Sequence, residues 1–427
     1  MDHFTYQSGR LMAESVPVRD IADAVGTPCY VYSQATLERH FKVFQGAFSA
    51  RDTLICYAVK ANGNLAVLKV LAGLGAGADV VSAGELARAL KVGIPPERIV
   101  FSGVGKSDDD LARALAAGIL QINVESEPEL EALSRIAEGM NKVASVAVRL
   151  NPDVDALTHA KISTGKRENK FGIPIERASA VYAKAASLPG IRITGATVHI
   201  GSQITSLDPF RAAYTRFRDT VQALRADGHD IQNLDLGGGL GIPYGENGGN
   251  MDHAIPSPVD YAAMVMEVFG DVSGRIVLEP GRVIAGNAGI LVSQVIYVKE
   301  GEGKKFVIVD AAMNDLVRPT LYDAHHTIWL ETEPAADAAV SSVDVVGPIC
   351  ETGDTFARDR SLAPVASGDL LAFRTAGAYG AVQAGIYNAR ALVPEVLVNG
   401  EKFAVVRRRF GIDEQMALET VPDWVKG

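Results

Sequence analysis

Lys60 ends the apolar run Leu54-Ile55-Cys56-Tyr57-Ala58-Val59 and is followed by Ala61-Asn62. A lysine closing a buried strand is costly unless something compensates its ammonium. One chemistry requires it there: condensation with an aldehyde, for which the amine must lose its proton. The plain alternative is a lysine past the strand's end, in water. Three further clusters bear on the choice. Gly237-Gly238-Gly239-Leu240-Gly241 follows Leu234-Asp235-Leu236, and glycines let backbone N–H groups approach an anion closely; the alternative is a tight turn with no ligand. Glu279-Pro280-Gly281-Arg282 closes another apolar run. Such a glutamate can hold a pyridinium nitrogen protonated, and Arg282 can grip a carboxylate or phosphate with two hydrogen bonds. A structural Glu–Arg pair is the alternative. His199-Ile200-Gly201-Ser202-Gln203 offers a flat imidazole to stack on a ring and a hydroxyl for phosphate, although a lone histidine is more often a packing residue.

An amine, a phosphate cradle, a carboxylate and a ring platform suit pyridoxal phosphate better than a metal. No cluster has His/Cys/Asp spacing suited to zinc, and the adjacent His325-His326 cannot share a helix face as HExxH ligands do. A loose GxGxxA at Gly73–Ala78 follows a helical pattern rather than a strand, so a dinucleotide fold fails its context. Gly105-Lys106-Ser107 resembles the end of a phosphate-binding P-loop, but the required earlier glycine is Val100.

These residues need elements to carry them. Strands are predicted at Thr53–Lys60, Ala78–Ser82, Arg98–Gly103, Leu120–Glu125, Ser145–Asn151, Ile193–Ile200, Asn233–Leu236 and Arg275–Glu279. They read as near-continuous apolar runs, the pattern of parallel strands buried on both faces. Helical segments alternate with them. Ser107 caps one that runs to about Ala117, Ser126-Glu127-Pro128-Glu129 reads as a capping box opening another, and Asp208–Asp227 is a longer amphipathic helix. Eight such units predict a (β/α)8 TIM-like barrel over 36–285, in preference to an open doubly wound sheet. The polar segment Asn151–Pro174 is expected to be a long loop on the active-site face. Beyond residue 286, Ile290–Tyr297, Lys305–Val309, Ser342–Val346, Asp369–Phe373 and Phe403–Arg408 read as strands of an all-β sandwich or barrel domain. The first 35 residues, with the strand-like Pro28–Tyr32, are expected to join it, so that 1–35 and 286–427 form the second domain.

The chain of 427 residues has 22% charged and 48% hydrophobic residues and a net charge of −10, an ordinary globular composition. No basic block suggests a nucleic-acid partner. Cys29, Cys56 and Cys350 form no CxxC pair, Met1–Ser8 show no basic stretch followed by an apolar one as expected of a signal sequence, and no apolar run would span a bilayer. The expectation is a soluble cytoplasmic enzyme without metal, nucleic acid or membrane.

Tyr57–Asn62, His199–Gln203, the triple glycine and Glu279–Arg282 together resemble the barrel-type pyridoxal-phosphate decarboxylases, over nearly the whole chain. Lys161–Gly165 with Lys170-Phe171-Gly172, Asn314–Tyr322 and Gly347–Thr352 are similar to the branch of that family acting on diaminopimelate. The resemblance implies that Lys60 forms a Schiff base with the cofactor and His199 stacks on it. Ser202, Gly237, Gly238, Gly239 and Gly281 would hold its phosphate, Glu279 its pyridine nitrogen, and Tyr379 would reach it. Arg282, Arg318 and Tyr322 would bind substrate carboxylate, with Tyr379 also near the substrate. Glu351 would recognise the distal ammonium and Cys350 would protonate the product carbon. Asp79 and Arg149 are candidate supports. The family implies a homodimer in which Cys350 and Glu351 come from the partner. The implied reaction is meso-2,6-diaminopimelate to L-lysine and CO2, the last step of lysine biosynthesis. A decarboxylase of a related carboxylated polyamine or basic amino acid, and a non-catalytic regulatory homologue, stay open at this point. One departure is Ala384-Gly385-Ile386 before Tyr387-Asn388, where the branch more often has Ser-Ser-Asn.

Overall fold

The computed structural model describes residues 2–245 and 255–425. The chain divides into two compact units, Glu38–Pro243 with Asn250–Ile284, and Met1–Leu37 with Tyr244–Gly249 and Ala285–Gly427.

The first unit is a closed parallel barrel. Its strands are β1 (Thr53–Ala58), β2 (Gly77–Val80), β3 (Ile99–Phe101), β4 (Gln121–Val124), β5 (Ala144–Asn151), β6 (Ile191–Thr197), β7 (Asn233–Asp235) and β8 (Arg275–Leu278). Each pairs in parallel with its neighbour in sequence, and β8 returns to β1 with Val277 opposite Leu54. All eight predicted strands are present. Several end earlier than expected: β1 stops at Ala58, β6 at Thr197 and β8 at Leu278. Lys60, His199 and Glu279 therefore sit just beyond the carboxyl ends of their strands, the end at which barrel chemistry is built.

The strand interiors are less apolar than expected. Side chains two apart share a face, and Gln121 with Asn123, and Asn233 with Asp235, are buried polar pairs of this kind. Leu54, Cys56, Val100 and Val277 form an apolar cluster of their own. Burying a side chain of the size of leucine or valine contributes about 1.5–3 kcal/mol.

Helices fill the returns. Ser107 caps Asp108–Ala117 in a reciprocal capping box with Asp110, and Gly118 ends the helix in the left-handed region at φ 69°. Ser126 accepts from Glu129 N–H at the start of Glu127–Gly139, but the expected box is not reciprocal. The Glu129 carboxylate instead accepts from Glu125 N–H and from the buried Lys106 ammonium. That ammonium also donates to Gly103 and Asn123 carbonyls, so Lys106 is a structural lysine. Asp208–Ala226 is helical as expected. The segment 151–174 is mostly loop, with a 3-10 turn at Ala160–Ile162 and a short strand Ile173–Pro174 paired beside Leu150 and Asn151.

The second unit is built on a mixed sheet. Gly289–Gly301 runs through its middle, antiparallel to Cys29–Ser33, Lys304–Val309 and Leu370–Phe373. Cys29–Ser33 pairs in parallel with Glu395–Asn399, so the amino-terminal segment lies inside this sheet. Leu11, Val18, Ile21, Val31, Ile290, Val292 and Val396 form its core. The five predicted strands are present, with shifted ends. Sequence reading missed Ile328–Leu330, Thr355–Leu362 and Glu395–Asn399, and a small sheet of Phe4–Gln7, Arg10–Ala13 and Val16–Pro17. Thr355–Leu362 carries Arg358, Asp359 and Arg360 and lies at the sheet edge, where charge is tolerated and blocks further pairing.

Candidate active site

Lys60 lies in the 3-10 turn Val59–Ala61 that follows β1. It is neither buried in the strand nor free in water: its side chain is 35% exposed and its ammonium is ion-paired with Asp79, which is fully buried on β2. Asp79 Oδ1 has no hydrogen-bond partner among the described residues. The turn is held by the loop after β8, since Ala58 N–H donates to Pro280 carbonyl at 3.1 Å. A Cβ on Gly281 would stand 2.9 Å from that of Ala61 and 3.0 Å from that of Ala58, so only glycine lets this loop close against the lysine turn. Arg282, the next residue, donates through Nη2 to Ser202 Oγ at 3.0 Å.

The glycines form the other wall. Gly237 N–H donates to Asp235 at 3.0 Å, and its carbonyl accepts from Glu279 N–H at 2.8 Å. Gly237 and Gly239 have φ of 64° and 115°, the left-handed region that glycine tolerates. A Cβ on Gly238 would lie 2.2 Å from the Glu279 carbonyl oxygen. Gly238 N–H donates to His199 Nδ1 at 3.1 Å, which leaves Nε2 to carry the ring proton. Burial, with Arg149 and Lys60 adding, pushes His199 well below the usual histidine range, so the ring stays neutral. Arg149 reaches the His199 carbonyl at 3.4 Å and pairs with the buried Glu125 at 2.8 Å.

Glu279 is almost wholly buried. Its Oε1 accepts from Ser102 Oγ at 3.3 Å and Asn123 Nδ2 at 3.4 Å. Burial first, then Asp235 and Asp79, push its carboxyl well above the ordinary carboxylate range. Contacts thus link Asp79, Lys60, Gly281, Arg282 and Ser202 along one side, and Glu279, Gly237, Gly238, His199 and Arg149 along the other.

The remaining candidates lie in the second unit. Arg318 is 5% exposed. Its guanidinium lies 4.9 Å from the Tyr244 ring centre and 6.0 Å from that of Tyr322, and its Nε donates to His326 Nε2 at 3.3 Å. His326 Nδ1 in turn bonds the Arg374 carbonyl at 2.8 Å, which fixes the tautomer that can accept from arginine. Tyr322 hydroxyl accepts from Gln383 at 3.3 Å. Cys350 and Glu351 are exposed, and Cys350 N–H donates to Asn388 at 3.3 Å. Tyr379 holds φ 56°, a strained setting for a bulky side chain.

Sequence reading missed Asp235, Asn123, Ser102, Glu125, Tyr244, His326 and Asn388. A signal existed for Asp235, an acid within Leu234-Asp235-Leu236, and for the alternation Gln121-Ile122-Asn123-Val124. For His326 the sequence offers only its adjacency to His325, a spacing unsuited to zinc. Among the described residues, no group of three or more His, Cys, Asp or Glu could hold a metal ion.

A turn that only glycines fit, a lysine at a strand end and a buried glutamate whose carboxyl is pushed upward fit pyridoxal phosphate by the chemistry of their donors. Residues 34–286 match the family described as pyridoxal-dependent decarboxylase, pyridoxal binding domain. The chain belongs to the pyridoxal-dependent decarboxylases. A full-length relative, the diaminopimelate decarboxylase of Zymomonas mobilis, is 48% identical over 427 residues and covers 99% of each chain. That of Pseudomonas aeruginosa is 49% identical over 423 residues, again covering 99% of each. The crystal structure of diaminopimelate decarboxylase from M. jannaschii in complex with L-lysine superposes with a TM-score of 0.93 at 35% identity, covering 99% of each chain.

Proposed function

We propose that the protein removes one carboxylate of meso-2,6-diaminopimelate to give L-lysine and CO2, the last step of lysine biosynthesis. The observation that carries the substrate is Arg318, a buried guanidinium framed by Tyr244 and Tyr322. Diaminopimelate has a second carboxylate for such a group, whereas ornithine and lysine have none. Full-length identity to relatives of that activity supports the same reading.

Lys60 would hold the cofactor aldehyde, Glu279 the pyridine nitrogen and His199 the ring face. Ser202, Gly237, Gly238, Gly239 and Gly281 would hold the phosphate, with Tyr379 at the cofactor. Pyridoxal phosphate, when bound, supplies an electron sink for the charge left as CO2 departs. The chain's own residues do the rest. Asp79 keeps the Lys60 side chain in place between rounds. His199, neutral and fixed by Gly238, presents a ring without adding charge. Arg282, Arg318 and Tyr322 orient the carboxylates, Glu351 pairs with the distal ammonium, and Cys350 delivers a proton to the carbon that has lost CO2.

Cys350 and Glu351 are exposed in the single chain. This supports a homodimer in which each copy completes the other's site, with 36–285 as the cofactor domain and 1–35 with 286–427 as the domain that completes it. Among the described residues, no helix is long and apolar enough to cross a membrane, and with the cysteine usage this supports a cytoplasmic setting. The test is product formation from meso-diaminopimelate with pyridoxal phosphate, run beside ornithine, lysine and arginine. Lysine formed from the first alone is expected. CO2 from another substrate and none from diaminopimelate would overturn the substrate.

A further inference from the structure

We propose that Asp235 is a positioning residue: as a buried anion behind Glu279, it keeps one proton bound between Glu279 and the pyridine nitrogen of the cofactor. The inference rests on the cofactor reading above and extends it to a residue that has no role there.

Asp235 ends β7 and is fully buried. One amide, Asn123 Nδ2, donates to both carboxyls, at 3.0 Å to Asp235 and at 3.4 Å to Glu279. Two buried carboxyls that share one donor do not both ionise unless a cation stands beside them. The donors decide which one keeps its proton. Asp235 receives Gly237 N–H at 3.0 Å, Asn123 Nδ2 at 3.0 Å and Gln121 Nε2 at 3.4 Å. Among the described residues, Glu279 receives the longer contacts from Ser102 and Asn123. The better-served Asp235 is the anion, and the proton stays on Glu279.

A chain of amides fixes this polarity. Asn233 Nδ2 donates to Gln121 Oε1 at 3.0 Å, which turns the Gln121 amino group to Asn123 Oδ1 at 2.9 Å. That in turn aims the Asn123 amino group at both carboxyls. Other charges near Glu279 are Asp79, which adds to the effect, and Lys60 and Arg149, which oppose it. Burial raises Cys56, Tyr214 and Tyr261 above their usual ranges, so none of them supplies an anion. Burial carries Asp235 up to about 6, while Glu279 stands well above its own ordinary range. Beside a pyridine nitrogen, Glu279 would give up its O–H proton to form an N–H bond there. Glu279 would then carry the negative charge and the ring the positive one that offsets it, with Asp235 still the anion behind them.

The test is nitrogen NMR of the holoenzyme loaded with pyridoxal phosphate labelled at the ring nitrogen, followed against pH. In the wild type the nitrogen is expected to stay protonated across the folded range. Asp235→Asn keeps the shape and the acceptor for Gly237 but removes the charge, and should lower the pH of nitrogen deprotonation by about one unit or more. Glu279→Gln, as a control, should lose the protonated signal. A wild-type-like profile in Asp235→Asn overturns the inference. An unprotonated nitrogen in the wild type at neutral pH also overturns it, and needs no variant to fold. Absence of bound-cofactor absorbance would overturn the cofactor reading along with it. An error in the substrate would leave the spectrum untouched.

Discussion

Gly238 donates its backbone N–H to Nδ1 of His199 at 3.1 Å, so the main chain of the glycine loop sets the tautomer of the imidazole. The same glycine packs against Glu279, where a Cβ would lie 2.2 Å from a backbone oxygen that has no room to yield. Gly238→Ala should therefore cost about 1–3 kcal/mol of stability and weaken cofactor binding with it. Thermal unfolding and a titration with pyridoxal phosphate would read both. An unchanged melting temperature would show that the loop and Glu279 can separate.

Lys60→Ala should lower turnover by about 10³-fold or more. Reduction with borohydride followed by mass spectrometry should find no cofactor covalently attached. Turnover near that of the wild type would remove Lys60 from the chemistry.

Arg318→Ala should leave the cofactor spectrum intact and lower kcat/KM by roughly 30-fold, about 2 kcal/mol for loss of a buried charge partner. Steady-state kinetics with diaminopimelate, beside cofactor absorbance, separates this from general damage. Equal loss of both signals would mark Arg318 as structural.

Burial pushes Asp315 from 3.8 up to about 7. The folded state thus favours its protonated form. The stability it contributes is complete below pH 3.8 and is lost as pH rises through about 7. Asp315 also accepts from Ala312 N–H at 2.9 Å, a bond that asparagine can keep. Asp315→Asn should flatten the pH dependence of unfolding across that window by about one proton. Denaturant melts at several pH values would measure the slope, and a slope equal to the wild type's would refute the assignment.

Mixing inactive Lys60→Ala and Cys350→Ala proteins should restore about a quarter of wild-type activity, because random dimers are half mixed and each mixed dimer has one intact site. No recovery after subunit exchange, confirmed by native mass spectrometry, would place Cys350 in the same chain's site.

Much of this site was legible because its residues mark places where an apolar run stops. Lys60, the glycines and Glu279 each follow a strand closely, and their order matches the barrel's order. The boundaries were read too long because Val59, Val198 and Leu236 continue the apolar pattern after pairing has ended. Asp235 and Asn123 carry little signal because strands buried on both faces predict apolar residues throughout. In a barrel one of those faces is an interior that accepts polar groups bonded to each other. Arg318 came from resemblance alone, and its partners Tyr244 and His326 are too distant in sequence for any local pattern to join them.

The barrel's closing pair has a consequence for how the protein is made. Lys60 follows β1, whereas Glu279 follows β8, so the two groups expected to grip opposite ends of the cofactor belong to the first and last strands of the ring. A chain still on the ribosome before Arg275–Leu278 emerges holds seven strands with two open edges, and neither Ile55 nor Asp235 has its neighbour. Joining ends this far apart costs loop entropy that nearest-neighbour pairings do not. On the site proposed above, a chain whose last strand has not found its first could hold the coenzyme at one end only, and would keep two strand edges unpaired.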